Sequence, residues 1–130
     1  MSGETATSRG SESLLRLPSN NVAYAAILAA LVSAAIHLLL APRVMGFSQM
    51  TGVLFYLNGL GWIGGVLLYL SRFWRRELYL VAAGYAVVTI VAFFAMSGRI
   101  NQLSIASKVA EGVVAVTAAY LYTTGSVTRD

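Results

Sequence analysis

Residues 22–41 read VAYAAILAALVSAAIHLLLA, an apolar run of twenty residues that only Ser33 and His37 interrupt. A helix rises about 1.5 Å per residue, so this run matches a hydrocarbon core about 30 Å thick. A cleaved signal peptide has a shorter apolar stretch, roughly 7–15 residues, followed by small residues. Because this run is longer and ends in a row of leucines, it predicts a helix that stays in the membrane.

Three more apolar runs of similar length follow, and only short polar segments separate them. Connections this short force neighbouring helices to run antiparallel. The sequence therefore predicts an all-α fold, a four-helix transmembrane bundle with up-down-up-down topology. The last run is the least regular, because Lys108 and Glu111 each cost roughly 2.5–3.5 kcal/mol at the centre of a bilayer. The four predicted helices are residues 22–41, 51–70, 78–96 and 103–122.

Polar segments bound the predicted membrane domain, residues 21–124. Residues 1–20 are rich in Ser, Thr, Gly and Glu, a composition typical of a disordered tail. Residues 125–130 form a second polar tail. Pro42 and Gly46 are expected to end the first helix, since these residue types are common at helix ends.

The composition excludes several classes of function. Hydrophobic residues make up 58% of the chain and charged residues 11%, whereas soluble domains have roughly 45–50% and 25%. The net charge of +4 does not indicate nucleic-acid binding, because the basic residues form no face interleaved with aromatic residues. The chain has no cysteine, which excludes disulfides, thiolate metal sites and cysteine nucleophiles.

Basic residues in the polar segments predict the orientation. The two tails and the segment between the second and third runs share one side and carry six basic residues, whereas the other two segments carry two. The positive-inside rule therefore places both chain ends in the cytoplasm. The six are Arg9, Arg16, Arg72, Arg75, Arg76 and Arg129, and the two are Arg43 and Arg99.

The segment between the second and third runs also carries predicted membrane-interface anchors. Arg72, Arg75 and Arg76 are suited to the anionic leaflet, and Trp74 to an aromatic belt at the headgroup level. The alternative is that the arginines dock an acidic partner. The anchor is favoured because basic residues commonly flank membrane helices on the cytoplasmic side.

Glycines predict where the helices pack. Lipid does not drive helices together, so small residues that let backbones approach mark contact faces. Gly61 and Gly65 form a GxxxG pair in the second run, and Gly84 lies in the third. Contact inside one bundle is the simplest interpretation, and a dimer face or a pore lining is the alternative.

Four polar residues fall within the predicted helices: His37, Asn58, Lys108 and Glu111. Counting from the helix ends places them roughly 6, 10, 8 and 12 Å deep, all in the same half of the membrane. The predicted orientation makes this the outer half. His37, Asn58 and Glu111 each lie on the small-residue face of their helix, so we expect the polar groups to meet near the bundle axis.

This polar layer has two interpretations. As a functional site, His37 and Glu111 would pass a proton or hold a polar or cationic ligand, because an imidazole exchanges protons near neutral pH. As a structural clamp, Lys108 and Glu111 would pair along one helix, and His37 and Asn58 would bridge helices. The clamp is slightly favoured, because a buried polar group must be satisfied whatever its role.

No cofactor or metal is expected. A b-type haem needs paired axial ligands, and the chain has one histidine. His37 and Glu111 are too few ligands for a metal site. The only aspartate is Asp130, so no Ser-His-Asp set exists, and the glycines follow no strand as a phosphate loop would. The sequence therefore predicts that the protein is not an enzyme.

The stretches HLLLAP at 37–42 and GVLFYLNG at 52–59 carry a resemblance to a known group. They resemble small four-helix integral membrane proteins of unassigned function from haloarchaea and some bacteria, which share a His near the end of helix one and a glycine-rich helix two. The resemblance implies the same fold and an archaeal-like source, and brings no functional residues. The acidic surface of halophile proteins is absent here.

Two hypotheses of function follow. The leading one is a non-enzymatic accessory or assembly partner, in a homo-oligomer or a larger membrane complex, because the chain has no convergent catalytic set and little mass outside the membrane. The alternative is a small transporter or proton-coupled carrier that uses the polar layer. Both make the chain a multi-pass protein of the cell membrane whose surroundings are the lipid bilayer, with no nucleic-acid partner.

Overall fold

The computed structural model describes residues 17–96 and 101–124. This part of the chain forms four α-helices, and each is long and apolar enough to cross a membrane. The prediction of an all-α, four-helix bundle is confirmed. The predictions for residues 1–16 and 125–130, and that for Arg99, lie outside the described residues. The helices are α1 (Asn21–Met45), α2 (Gln49–Tyr69), α3 (Glu77–Ala95) and α4 (Gln102–Thr124).

Side-chain caps begin three of the helices where the sequence has polar residues before apolar runs. The Asn20 side chain accepts a hydrogen bond from the Val22 N–H at 2.7 Å at the start of α1. At the start of α4, Asn101 and Ser104 bond each other's backbone N–H groups, at 3.0 and 2.8 Å. Such caps satisfy N–H groups that have no partner within the helix. Ser48 caps α2 in the same way.

The first helix continues past Pro42 to Met45, so the prediction that Pro42 ends it was wrong. Proline lacks an N–H, which removes one hydrogen bond to the preceding turn. The chain nevertheless stays helical for three more residues. Gly46 caps this end, and its N–H donates to the Arg43 carbonyl at 3.1 Å. The predicted tail also ends earlier than residue 20, since Pro18 is buried and Asn20 caps α1.

The four helices do not all pack equally closely against one another. Extensive contacts join α1 with α2, α1 with α4, and α3 with α4. Aromatic side chains join α2 to α3 instead: the rings of Trp62 and Tyr85 meet edge to face with centroids 4.8 Å apart. Because large rings hold these two helices apart, cavities remain between them.

The glycines that bring backbones together are Gly52 and Gly59 of α2, which the sequence analysis did not select. A Cβ on Gly59 would lie 2.7 Å from the Leu38 side chain and 3.2 Å from the Ala34 carbonyl oxygen. A Cβ on Gly52 would lie 2.9 Å from the Cα of Met45. Both positions face α1, so the close α1–α2 contact depends on them.

The predicted packing glycines have other surroundings. A Cβ on Gly61 would collide with the Tyr85 hydroxyl, so this glycine accommodates a ring rather than a helix. Gly65 and Gly84 have nothing within 4 Å of a built Cβ, and neither mediates a helix contact within the described chain. The GxxxG spacing misled because it does not show which face of a helix meets its neighbour.

The predicted anchors between α2 and α3 also have contacts inside the fold. The Arg76 Nε donates to the Tyr122 carbonyl at 2.9 Å, and its guanidinium lies 4.3 Å from the Tyr122 ring centroid. Trp74 packs against Tyr69 and Tyr79 in an aromatic cluster. Arg72 lies over the Phe73 ring, and Arg75 is exposed.

Candidate functional site

A buried carboxylate organises the polar layer. Glu111 is fully buried, and its two oxygens accept hydrogen bonds from three helices. Ser33 of α1 donates to Oε2 at 2.7 Å, and Ser107 of α4 donates to the same oxygen at 3.2 Å. Thr89 of α3 and the Lys108 ammonium donate to Oε1, at 2.9 and 2.8 Å. A buried charge is tolerated when it is paired and hydrogen-bonded in this way.

His37 connects this cluster to α2. Its Nδ1 lies 2.8 Å from the Ser33 carbonyl oxygen, which only accepts, so Nδ1 carries a proton. Its Nε2 lies 3.0 Å from the Asn58 Nδ2 and 3.7 Å from the Glu111 Oε2. With the amide placed in this way, Asn58 donates to Nε2 and the imidazole is neutral.

The Asn58 amide has two consistent arrangements. In the first, it donates to His37 and its Oδ1 accepts from the Tyr85 hydroxyl at 2.9 Å. In the second, the amide is rotated, and Oδ1 accepts from a protonated His37 while Nδ2 donates to the Tyr85 oxygen. Tyr85 then donates to the Asn58 backbone carbonyl, 3.0 Å away. The network therefore accommodates a proton on His37 without an unpaired group.

A cavity of about 400 Å³ lies between α2 and α3 beside this cluster. It extends from residues near the helix ends, Thr51, Met96 and Ser104, to Gly61 and Tyr85. Its remaining wall is mostly apolar. The polar side chains on the wall are His37, Thr51, Asn58, Tyr85, Thr89, Ser104, Ser107 and Lys108.

The structure brings all four predicted polar residues together. His37, Asn58 and Lys108 line the cavity, whereas Glu111 lies behind them and does not. The prediction of a shared layer depended only on the direction of each helix and the depth of each residue. Both change little when a predicted helix end is wrong by a few residues. Which of these residues line the cavity and which lie behind its wall depends on side-chain packing, and the sequence pattern does not specify that packing.

Four members of the network were not predicted as site residues. Ser33 and Ser107 each lie four residues before a predicted one, His37 and Glu111, on the same helix face. That spacing of four residues was a signal by which both could have been found. Thr89 and Tyr85 come from α3, where residues 78–95 include no Asp, Glu, Lys, Arg or His to start from.

A metal centre has little support at this site. Across residues 17–96 and 101–124, no three His, Cys, Asp or Glu side chains cluster closely enough to hold an ion. The cluster offers one imidazole and one carboxylate, and the carboxylate is occupied by four donors.

A model of a family of unknown function (DUF7475) matches residues 8–122 of this chain. The chain therefore belongs to that family, in agreement with its resemblance to an uncharacterised group. No curated protein and no solved structure matches this chain.

Proposed function

We propose that this member of the family is a multi-pass protein of the cell membrane that carries a small carboxylate together with a proton. The observation that carries the proposal is the cavity of about 400 Å³, whose wall presents His37, Asn58 and Lys108 within an otherwise apolar bundle. The proposal is non-enzymatic: the ligand moves or is held, and no bond is made.

The membrane setting rests on the four apolar helices and on the charge of their connections. Each helix has the length and hydropathy of a membrane span. The six basic residues that the sequence has in its two tails and in the segment between α2 and α3 favour the cytoplasm for both chain ends. The cavity with His37 then lies in the outer half of the membrane.

The position of the polar groups supports a ligand site over a purely structural clamp. A clamp encloses all its polar atoms, as the bundle does with Glu111. His37, Asn58 and Lys108 instead line a space that could hold a molecule. Ionisable residues inside membranes generally face such cavities and mark pathways for ions or substrates.

The charges favour an acidic ligand that enters with a proton. The positive charge of Lys108 and the negative charge of Glu111 cancel. Lys108 donates one of its three ammonium protons to Glu111. A carboxylate bound at Lys108 adds one negative charge, and protonation of His37 restores neutrality. An uncompensated charge is costly in a membrane interior, so the two should move together. The apolar wall suits a ligand with an apolar body.

A flux assay in liposomes tests this function. Purified protein is reconstituted with a pH-sensitive dye inside, and ketoisocaproate is added as the probe because its strong acid group limits passive leak. We expect internal acidification faster than in empty liposomes. We expect most of the gain to be lost in His37→Gln, which cannot titrate, and in Lys108→Met, which lacks the cation.

Thr117→Val serves as the control, since Thr117 is on α4 and lines neither this cavity nor the smaller one between the helices. Wild-type flux equal to that of empty liposomes would reject the carrier. Equal flux in Lys108→Met and wild type would reject the charge argument.

The second candidate is a role as an accessory or assembly partner. It is supported by Gly64, Gly84 and Gly112, which have nothing within 4 Å of a built Cβ and leave room for a neighbouring helix. Pull-down in mild detergent tests it, followed by mass measurement of the purified particle. A chain recovered alone under every condition would count against this role.

A further inference from the structure

A second cavity, of about 190 Å³, lies between α2 and α3 on the other side of Tyr85. It reaches Trp74 in the segment that joins these helices. The cavity with His37 reaches Thr51 and Met96, near the opposite ends of the same helices. The two cavities therefore lie end to end along the interface of α2 and α3. We call the one with His37 the outer cavity and the one with Trp74 the inner cavity.

One side chain separates the two cavities. Among the described residues, only Gly61 and Tyr85 line both. Tyr85 belongs to α3, and its hydroxyl donates towards Asn58 of α2, with the backbone carbonyl oxygen 3.0 Å away and Oδ1 2.9 Å away. Gly61 leaves room for this hydroxyl, because a Cβ at that position would collide with it. Tyr85 therefore bridges the two helices at the level where the cavities meet.

The contacts that hold the Tyr85 ring in this place can be exchanged. Its hydroxyl bonds only to Asn58 among the described residues, and its ring meets Trp62 edge to face with centroids 4.8 Å apart. A cavity borders the ring on either side, so it has space to rotate without displacing a helix. A carboxylate in the outer cavity would compete for the hydroxyl, because a hydrogen bond to an ionised acceptor is stronger than one to a neutral carbonyl.

The inner cavity differs from the outer one in its chemistry. Its wall is almost wholly apolar, and among the described residues no Asp, Glu, Lys, Arg or His lines it. An ionised carboxylate would be costly in such surroundings, whereas the neutral acid loses much less on leaving water. The inner cavity therefore suits a carboxylate that crosses together with its proton.

We propose that Tyr85 is the gate of the carrier. In the closed position its ring ends the outer cavity, and when the ring rotates away the two cavities join into one route through the bundle. The inference rests on the proposed function, because a gate needs a molecule that crosses. Alternating access requires a binding site that opens to one side of the membrane at a time, and a ring between two cavities meets that requirement.

The accessibility of single cysteines tests the gate without a measurement of flux. The chain has no native cysteine, so each substituted one reports alone. Ala82 lines only the inner cavity and Ala92 only the outer one, and both are half-buried on α3. Right-side-out and inside-out vesicles with the full chain are treated with sulfonatoethyl methanethiosulfonate, an anionic reagent that does not cross lipid. We expect Ala82→Cys and Ala92→Cys to react much faster from opposite sides.

Removal of the ring should open the inner cavity to the outer one. In Tyr85→Ala, Ala82→Cys should react fast from the side that reaches Ala92→Cys as well as from its own. Tyr85→Phe keeps the ring but loses the bond to Asn58, so it should raise the slower rate of Ala82→Cys about fivefold, the effect of one neutral hydrogen bond. Circular dichroism checks the fold of each variant, and Tyr85→Phe decides the test if Tyr85→Ala does not fold.

Val91→Cys is the matched control, since Val91 neighbours Ala92, is exposed on α3 and lines neither cavity. It should react slowly from both sides. Unchanged rates in folded Tyr85→Phe and Tyr85→Ala would overturn the gate, as would equal rates for Val91→Cys and Ala92→Cys. One-sided reaction that Tyr85→Ala abolishes, in a protein without ketoisocaproate flux, would reject the carrier alone. The two failures are therefore distinguishable.

Discussion

The half of the bundle around Glu111 and the half around Tyr79 are built from the same four helices, but different kinds of contact hold them together. Around Glu111, polar side chains from three helices converge on one carboxylate, and His37 extends the network to Asn58 of α2. Around Tyr79, aromatic rings pack edge to face. Hydrogen bonds have fixed partners and directions, so the first half sets the register between helices. The aromatic half fills and spaces the interior.

The comparison also applies to the glycines of α2. In the half with Glu111, Gly52 and Gly59 lie against α1 with no room for a side chain. In the aromatic half, Gly64 and Gly65 have open space around them. Packing in lipid relies on close van der Waals contact rather than on exclusion of water. The first half should therefore be the less tolerant of substitution.

The largest expected effect is that of Glu111→Ala. The change removes the acceptor of three hydroxyls and leaves the partly buried ammonium of Lys108 without its carboxylate partner. Breaking a buried ion pair in this way costs about 3–5 kcal/mol of unfolding free energy. Unfolding by sodium dodecyl sulfate in mixed micelles, followed by circular dichroism, measures it.

Glu111→Gln is the matched control, since it keeps the shape of the side chain and one acceptor oxygen. Its loss of stability should be smaller. Wild-type stability in Glu111→Ala would show that the cluster does not hold the helices together, and the contrast between the two halves would fail.

The next largest effect is expected for Gly59 of α2, compared with Gly65 of the same helix. Gly59→Ala places a methyl group 2.7 Å from the Leu38 side chain, and overpacking of this kind typically costs about 1–3 kcal/mol. Gly65→Ala meets nothing within 4 Å and replaces a flexible residue in a helix, so its stability should be unchanged or up to about 1 kcal/mol higher. The same detergent unfolding assay compares them. Equal losses in the two variants would contradict the structure of the α1–α2 contact.

The smallest expected effect lies at the end of the aromatic half. Arg76→Ala removes the hydrogen bond to the Tyr122 carbonyl and the contact with its ring, together worth about 0.5–1 kcal/mol at an exposed position. Arg75→Ala is the control, because Arg75 is equally exposed but does not take part in the contact with Tyr122. If both substitutions had the same effect on unfolding, the arginines would act only as general membrane anchors.

The sequence predicted the site better than it predicted the packing. The shared depth of His37, Asn58, Lys108 and Glu111 follows from helix length and direction, which hydropathy reports. The partners Ser33 and Ser107 were within reach of the same reasoning, through their spacing of four residues. Tyr85 was not, because its role depends on the distance that large rings impose between α2 and α3.

The sequence by itself determined four apolar helices, their alternating direction and the half of the bundle that holds the polar residues. These properties follow from hydropathy and from the 1.5 Å rise of a helix. Only the tertiary structure decided which glycines touch a neighbour, that Glu111 lies behind the cavity wall, and that Tyr85 divides the interior in two. Those outcomes depend on the rotation of each helix about its axis, and that rotation is fixed only when side chains from different helices pack together.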